Sequence, residues 1–275
     1  MAPKVWLITG ASSGFGRIMT ELVLENGDIC IATSIDPPAL ADLVPKYTEG
    51  RLLILEMDVT KFQDVVLAFK TAEQAYGYVD VVFNNAGVAI AGDVEVTPED
   101  KARKLFDINF WGSANVTKET IRFFREVNGP ERGGKLLQMT SMLGIGGWGS
   151  LGYYTASKHA VEGLTKSLAE ELKPEWNIQI MLIEPGFMRT AMLTGVERFD
   201  PLPAYAAGVG AKTAQEQQAR YMTGDPQRAM ESVHHVAQMD KLPIHLPIGP
   251  GAIKLFKYTI DELTKAVEDC QSVAK

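Results

Sequence analysis

The sequence predicts a single α/β domain, doubly wound around a mainly parallel, seven-stranded sheet. Three observations carry that prediction. Short apolar runs alternate with amphipathic helical stretches along most of the 275 residues. The runs are apolar throughout, as strands are when both sheet faces are covered. Strand–helix alternation on this scale needs crossover connections, and those make neighbouring strands parallel.

Taken in order, "VWLIT" (5–9), "DICIAT" (28–33), "RLLILEM" (51–57), "VDVVFNN" (79–85), "KLLQMTS" (135–141) and "IQIMLIEP" (178–185) read as buried strands. Helical patterns fill 14–26, 38–47, 61–76, 98–127 and 153–173. No linker-like tract or internal repeat interrupts them, so residues 1–275 form one domain. After Pro185 the periodicity weakens. Residues 186–224 mix glycine, proline, methionine and aromatics, too many for a plain connection. A loop of that length is usually functional, and about 187–224 reads as a helical lid on the substrate side. A helix at 225–239, a strand "LPIHLPIG" at 242–249 and a helix at 251–270 close the chain.

Composition excludes several function classes. The net charge is −7 with no block of lysine and arginine, which argues against nucleic acid and against an anionic membrane surface. No run of eighteen apolar residues occurs, so no membrane span is expected. Strand one begins near Lys4, so no signal or transit peptide is expected and the location reads as cytoplasmic. Cys30 and Cys270 offer no disulfide framework and no metal spacing. They read as buried or partly buried free thiols in a reducing compartment. His159, His234, His235 and His245 show no metal or nucleophile spacing, so no metal site is expected.

The turn after strand one, "TGASSGFG" (9–16), reads as a phosphate cradle. Gly10, Gly14 and Gly16 permit tight geometry and close approach of backbone to a pyrophosphate, and the helix N-terminus presents free N–H groups. Ser12 and Ser13 are placed to cap that helix or to bond a ribose or phosphate. In "GYYTASKHA" (152–160), Tyr154 and Lys158 are four apart and share a helix face, whereas Tyr153 points away. A tyrosine normally titrates near about 10. A nearby ammonium is expected to lower that value and make the phenol a usable acid or base.

These pieces resemble the classical short-chain dehydrogenase/reductase family. The resemblance runs in order through "TGASSGFG", "DV" (58–59), "NNAG" (84–87), "IN" (108–109), Ser141, "YTASK" (154–158) and "PG" (185–186). It implies a Rossmann-type domain and an oxidoreductase that moves hydride between nicotinamide and a carbonyl/alcohol pair. Tyr154 would move the proton, Ser141 would bond the substrate oxygen, and Lys158 would tune Tyr154 and hold the ribose. Asn109 would hold a water in a proton relay. On the cofactor side the resemblance adds Phe15 within the glycine turn, Asp58 and Val59 at the adenine, Asn85, Ala86 and Gly87, and Pro185, Gly186 and Thr190 near the carboxamide.

NAD and NADP both remain open. The acid typical of NAD members would fall at Ser34 and the arginine typical of NADP members at Ile35, and neither is present. Asp36 is near enough to take the ribose hydroxyls, so the reading leans slightly to NAD. Leu143, Trp148, Phe187 and Met192, with Met142, Met188 and Tyr205, are expected to wall a largely apolar alcohol or ketone pocket. The resemblance also implies a homodimer through the helices at 98–127 and 153–173. A different class of function, a non-catalytic dinucleotide sensor on the same fold, would dispense with Tyr154.

Overall fold

The computed structural model describes residues 2–189, 195–205, 224–271 and 273. Seven parallel strands form one sheet in the order β3-β2-β1-β4-β6-β7-β9. The strands are β1 (Val5–Thr9), β2 (Ile29–Ser34), β3 (Leu52–Glu56), β4 (Val81–Asn84), β6 (Gly134–Met139), β7 (Ile178–Pro185) and β9 (His245–Ile248). A second, two-stranded sheet pairs β5 (Ile90–Ala91) with β8 (Glu197–Arg198).

Side chains along β1 divide between two cores. Trp6 and Ile8 join one, against α1 (Gly14–Glu25) and α7 (Pro226–Ala237). Val5 and Leu7 join the other, against α2 (Phe62–Tyr76), α4 (Ser113–Phe123) and α6 (Gly152–Glu171). Both faces of the sheet are therefore dry, which explains the unbroken apolar runs. The strand order reverses between β1 and β4, and a crevice opens there beyond their carboxyl ends.

Several elements differ from the sequence expectation. The stretch expected as a helix at 38–47 is a 3₁₀ segment, Pro37–Lys46. Internal Pro45 has no amide to donate and its ring clashes with the preceding turn, which disfavours a regular α-helix. The expected helix at 98–127 is broken into α3 (Glu99–Phe106), α4 and a short α5 (Gly129–Arg132), with π turns at Asp107–Gly112 and Phe124–Asn128 between them. Ser141 does not end a strand. β6 stops at Met139, and Ser141 caps a 3₁₀ turn, Met142–Gly144, by accepting a bond from the Leu143 amide at 3.1 Å.

Of the lid, residues 190–194 and 206–223 lie outside the described residues, and Thr190 and Met192 with them. The final helix, α8 (Pro250–Cys270), buries Ala252 alone. Cys30 is buried as expected, but Cys270 is exposed because α8 leaves the body. Among the described residues, no helix is long and apolar enough to cross a membrane.

Candidate active site

The crevice at the strand reversal holds a cavity of about 870 Å³. Gly10, Ser13, Gly14 and Phe15 line one wall, Asn85, Ala86 and Gly87 another, and Ser34, Asp58 and Val59 the far end. Backbone geometry shapes this space. Gly10 and Gly14 have φ of +64° and +53°, the region glycine tolerates. A Cβ on Gly16 would lie 2.1 Å from the Gly10 carbonyl oxygen, so the turn closes only with glycine there. Ser13 precedes α1 without making a side-chain cap, and the first turn of α1 carries no acid. Free amides and the positive end of the helix dipole therefore face the cavity.

Thr9 orders the opposite wall, a role the sequence reading missed. Its hydroxyl accepts from the Asn85 and Ala86 amides, both at 2.9 Å, and its carbonyl accepts from Asn85 Nδ2 at 2.9 Å. Asn84 turns inward instead, bonding Gln138 Oε1 at 3.0 Å and the Ser113 carbonyl at 2.9 Å. Ser12, Gly16 and Asp36 are not in the cavity lining. Gly16 acts through the turn, and the Asp36 amide donates to Ser34 Oγ at 3.0 Å. Arg17 is held by Asp42 and Glu21.

A smaller cavity of about 80 Å³ adjoins the first, the two sharing Phe15, Asn85 and Ala89 in their walls. Ser141, Tyr154 and Lys158 line it together with Pro185, Gly186, Phe187 and Leu143. Met142, Met188, Leu151 and Val196 complete its apolar surface. Trp148 supports Phe187 edge-on at 5.0 Å. Tyr205 lies elsewhere, its hydroxyl donating to Glu95 Oε2 at 2.6 Å. Tyr153 faces α3 beside Trp111, as its place on α6 requires.

The expected lowering of the Tyr154 phenol is reversed. Burial pushes it up to about 12, and the Ser141 hydroxyl only partly opposes this. Burial also lowers Lys158 to about 8, against the attraction of Glu162. The ammonium sits 5.8 Å from the Tyr154 ring centroid and donates to the Met139 carbonyl at 3.3 Å. Desolvation is the largest cause in both groups.

Asn109 lies in the first π turn and is buried. Its amide bonds both the N–H and the C=O of Val88, at 2.8 and 2.9 Å, and donates to Ser157 Oγ at 3.1 Å. A Cβ on Gly87 would fall 3.2 Å from Asn109 Oδ1 and 3.7 Å from Lys158 Nζ, so Gly87 keeps the space between them open. Beneath Lys158, Glu162 accepts from Thr140 Oγ1 at 2.6 Å and gathers with Glu184 and His245. Histidine spacing gave no sign of this cluster, because its members come from three distant elements.

Sequence and structure comparisons agree with this geometry. The sequence model for the short chain dehydrogenase family matches residues 4–200. The oxidoreductase calM of Penicillium decumbens is 33% identical, with 100% of this chain and 92% of the relative covered. A short-chain dehydrogenase crystal structure from Streptomyces avermitilis superposes with a TM-score of 0.87 at 31% identity, covering 99% of this chain and 98% of that one. A short-chain dehydrogenase/reductase from Burkholderia phymatum, solved in complex with NAD, shares the fold at TM-score 0.77 and 24% identity, covering 98% and 95%. The match over most of the chain places this protein in the short-chain dehydrogenase family of oxidoreductases.

Proposed function

We propose that this oxidoreductase is NAD(P)-dependent and interconverts a largely apolar ketone and its secondary alcohol. The observation that carries the reading is the junction of the two cavities. A backbone cradle suited to a dinucleotide opens directly onto a small apolar pocket whose polar groups include Ser141, Tyr154 and Lys158. The glycine turn, the unblocked N-terminus of α1 and the opening kept by Gly87 fit a nicotinamide dinucleotide. Such a group, when bound, supplies or accepts a hydride.

The chain's own residues do the rest. Tyr154, held protonated at neutral pH, donates its proton to the carbonyl oxygen, and Ser141 orients that oxygen and stabilises its developing charge. Lys158 binds a ribose hydroxyl and stabilises the phenolate left behind, while Asn109 fixes the Val88 backbone beside it. Cofactor preference leans to NAD. Ser34 and Ile35 bring no cation to the end of β2, and Arg17 is committed to Asp42. The reading further includes a cytoplasmic location and a homodimer through α3–α4 and α6, a surface on which Trp111 is 58% exposed.

A fluorescence titration with NADH and NADPH tests this reading. Tight NADH binding with weak NADPH binding supports it; preference for NADPH overturns the NAD lean; binding of neither removes the enzymatic reading.

A further inference from the structure

We propose that α8 is a pairing element that binds the α8 of a second copy of this chain, antiparallel, across a two-fold axis. The proposal is independent of the reaction above.

The helix is 21 residues long, yet only its root rests on the body, on β9 and the Met142–Gly144 turn. Every residue from Ile260 to Cys270 is exposed. The exposed part is not polar all round. Ile253, Phe256, Ile260, Leu263, Val267 and Cys270 follow one another at alternating spacings of three and four. That is the a/d spacing of a coiled-coil seam, with β-branched residues at each a position. Phe256, at the root, is half-buried with its ring edge-on to His245, and the other five are exposed. Ile260, Leu263 and Val267 are 59%, 61% and 61% exposed. A helix gains most of its stability from packing such a face, and a continuous apolar seam in water marks a contact surface.

Charge says what covers it. The root carries Lys254 and Lys257; the outer half carries Asp261, Glu262, Glu268 and Asp269 with Lys265 alone opposing them. Two copies side by side in parallel would set like charge against like. Reversed, Lys254 and Lys257 of each lie along Glu268 and Asp269 of the other, Ile260 meets Leu263, Phe256 meets Val267 and Ile253 meets Cys270, while Asp261 and Glu262 fall beside the two-fold axis. A lipid surface is the poorer match, because membrane-seeking helices flank their apolar face with lysine and arginine. Antiparallel pairing also carries the tip of each helix to the root of the other. There Leu255 packs against Gly146, in the loop that leads to Trp148, whose ring backs Phe187 of the substrate pocket.

The full-length protein tests this by sedimentation velocity and by crosslinking. Leu263→Asp should halve the molar mass of the assembly, leaving the far-UV circular dichroism and the cofactor titration unchanged. Because the side chain is exposed, folding is not at stake. Ile253→Cys should give a disulfide-linked dimer through Cys270 of the second copy under mild oxidation, and adding Cys270→Ser should abolish it. Within one helix these positions are about 25 Å apart at 1.5 Å per residue, so the link must join two chains. An unchanged mass in Leu263→Asp would place any assembly on another surface and overturn the proposal. So would a monomeric wild type.

Discussion

The two adjoining cavities are built by different means. The large one is shaped by backbone: positive-φ glycines, a turn closed by the absence of a Cβ at Gly16, and amides aligned by the Thr9 hydroxyl. The small one is shaped by side chains delivered from β6, α6, β7 and the lid, segments far apart in the chain. A backbone site has to be encoded locally, so it reads as a motif. A side-chain pocket shows its polar groups at fixed spacings, and its walls emerge only on folding. If the division is right, substitutions in the two cavities should separate binding from chemistry.

The largest effect belongs to the small cavity. Tyr154→Phe removes the proton donor while leaving the ring to fill its place. Turnover should fall by about 10²–10⁴-fold, the usual range for a lost general acid. The dissociation constant for NADH should stay close to that of wild type. Turnover near the wild-type rate would break the proposed mechanism.

Gly16→Ala is the converse. The added methyl would meet the Gly10 carbonyl oxygen at 2.1 Å, so the turn must open and its amides lose their aim. Weakening of cofactor binding by about 10- to 100-fold is expected, equivalent to about 1.4–2.8 kcal/mol. Saturating cofactor should restore most of the turnover. Equal losses in both variants would mean that the cavities do not divide the work as argued.

How much of this was legible follows the same line. The seven strands of the main sheet were readable as apolar runs whose ends differ by a few residues; β3 and β9 are largely half-buried, and the two-residue strands β5 and β8 gave no sequence signal. The Tyr154–Lys158 pairing was readable from helix periodicity alone. The sign of the Tyr154 shift was not, because burial is a property of the packed protein and here it outweighs the Ser141 hydrogen bond. The π turn around Asn109 was hinted at by a weak helix former in mid-helix, but its hydrogen bonds to Val88 were not. Likewise Glu162, Glu184 and His245 carry no mutual spacing, and only the packing of α6 over the paired strands β7 and β9 brings them together.

A smaller effect should follow from the wall of the small cavity. Trp148 touches Phe187 edge-on at 5.0 Å. Trp148→Ala loses that support and should raise KM for a bulky apolar ketone by about tenfold, roughly the worth of one aromatic pair. A change in kcat with KM intact would instead give Trp148 a part in positioning the catalytic groups.

The smallest effect probes the acid beneath both cavities. Glu184 is fully buried immediately before Pro185 and Gly186. Burial, then repulsion from Glu162, pushes its carboxyl up to about 8. His245 Nδ1 lies 2.5 Å from Oε1, but burial lowers that imidazole as well. The pair is therefore a neutral acid against a neutral ring rather than a salt bridge. Below about 4.5 the folded and unfolded chains both hold the Glu184 proton, and the group has no effect on stability's pH dependence. As pH rises from about 4.5 toward 8, the unfolded chain releases it and the folded chain does not, so stability falls through that window. Glu184→Gln keeps an acceptor for the Leu246 amide and removes the ionisation. Thermal melts at pH 5 and pH 8 should show wild type losing stability relative to the variant as pH rises. A Tm difference between wild type and variant that does not change from pH 5 to pH 8 would mean that burial does not raise the Glu184 carboxyl.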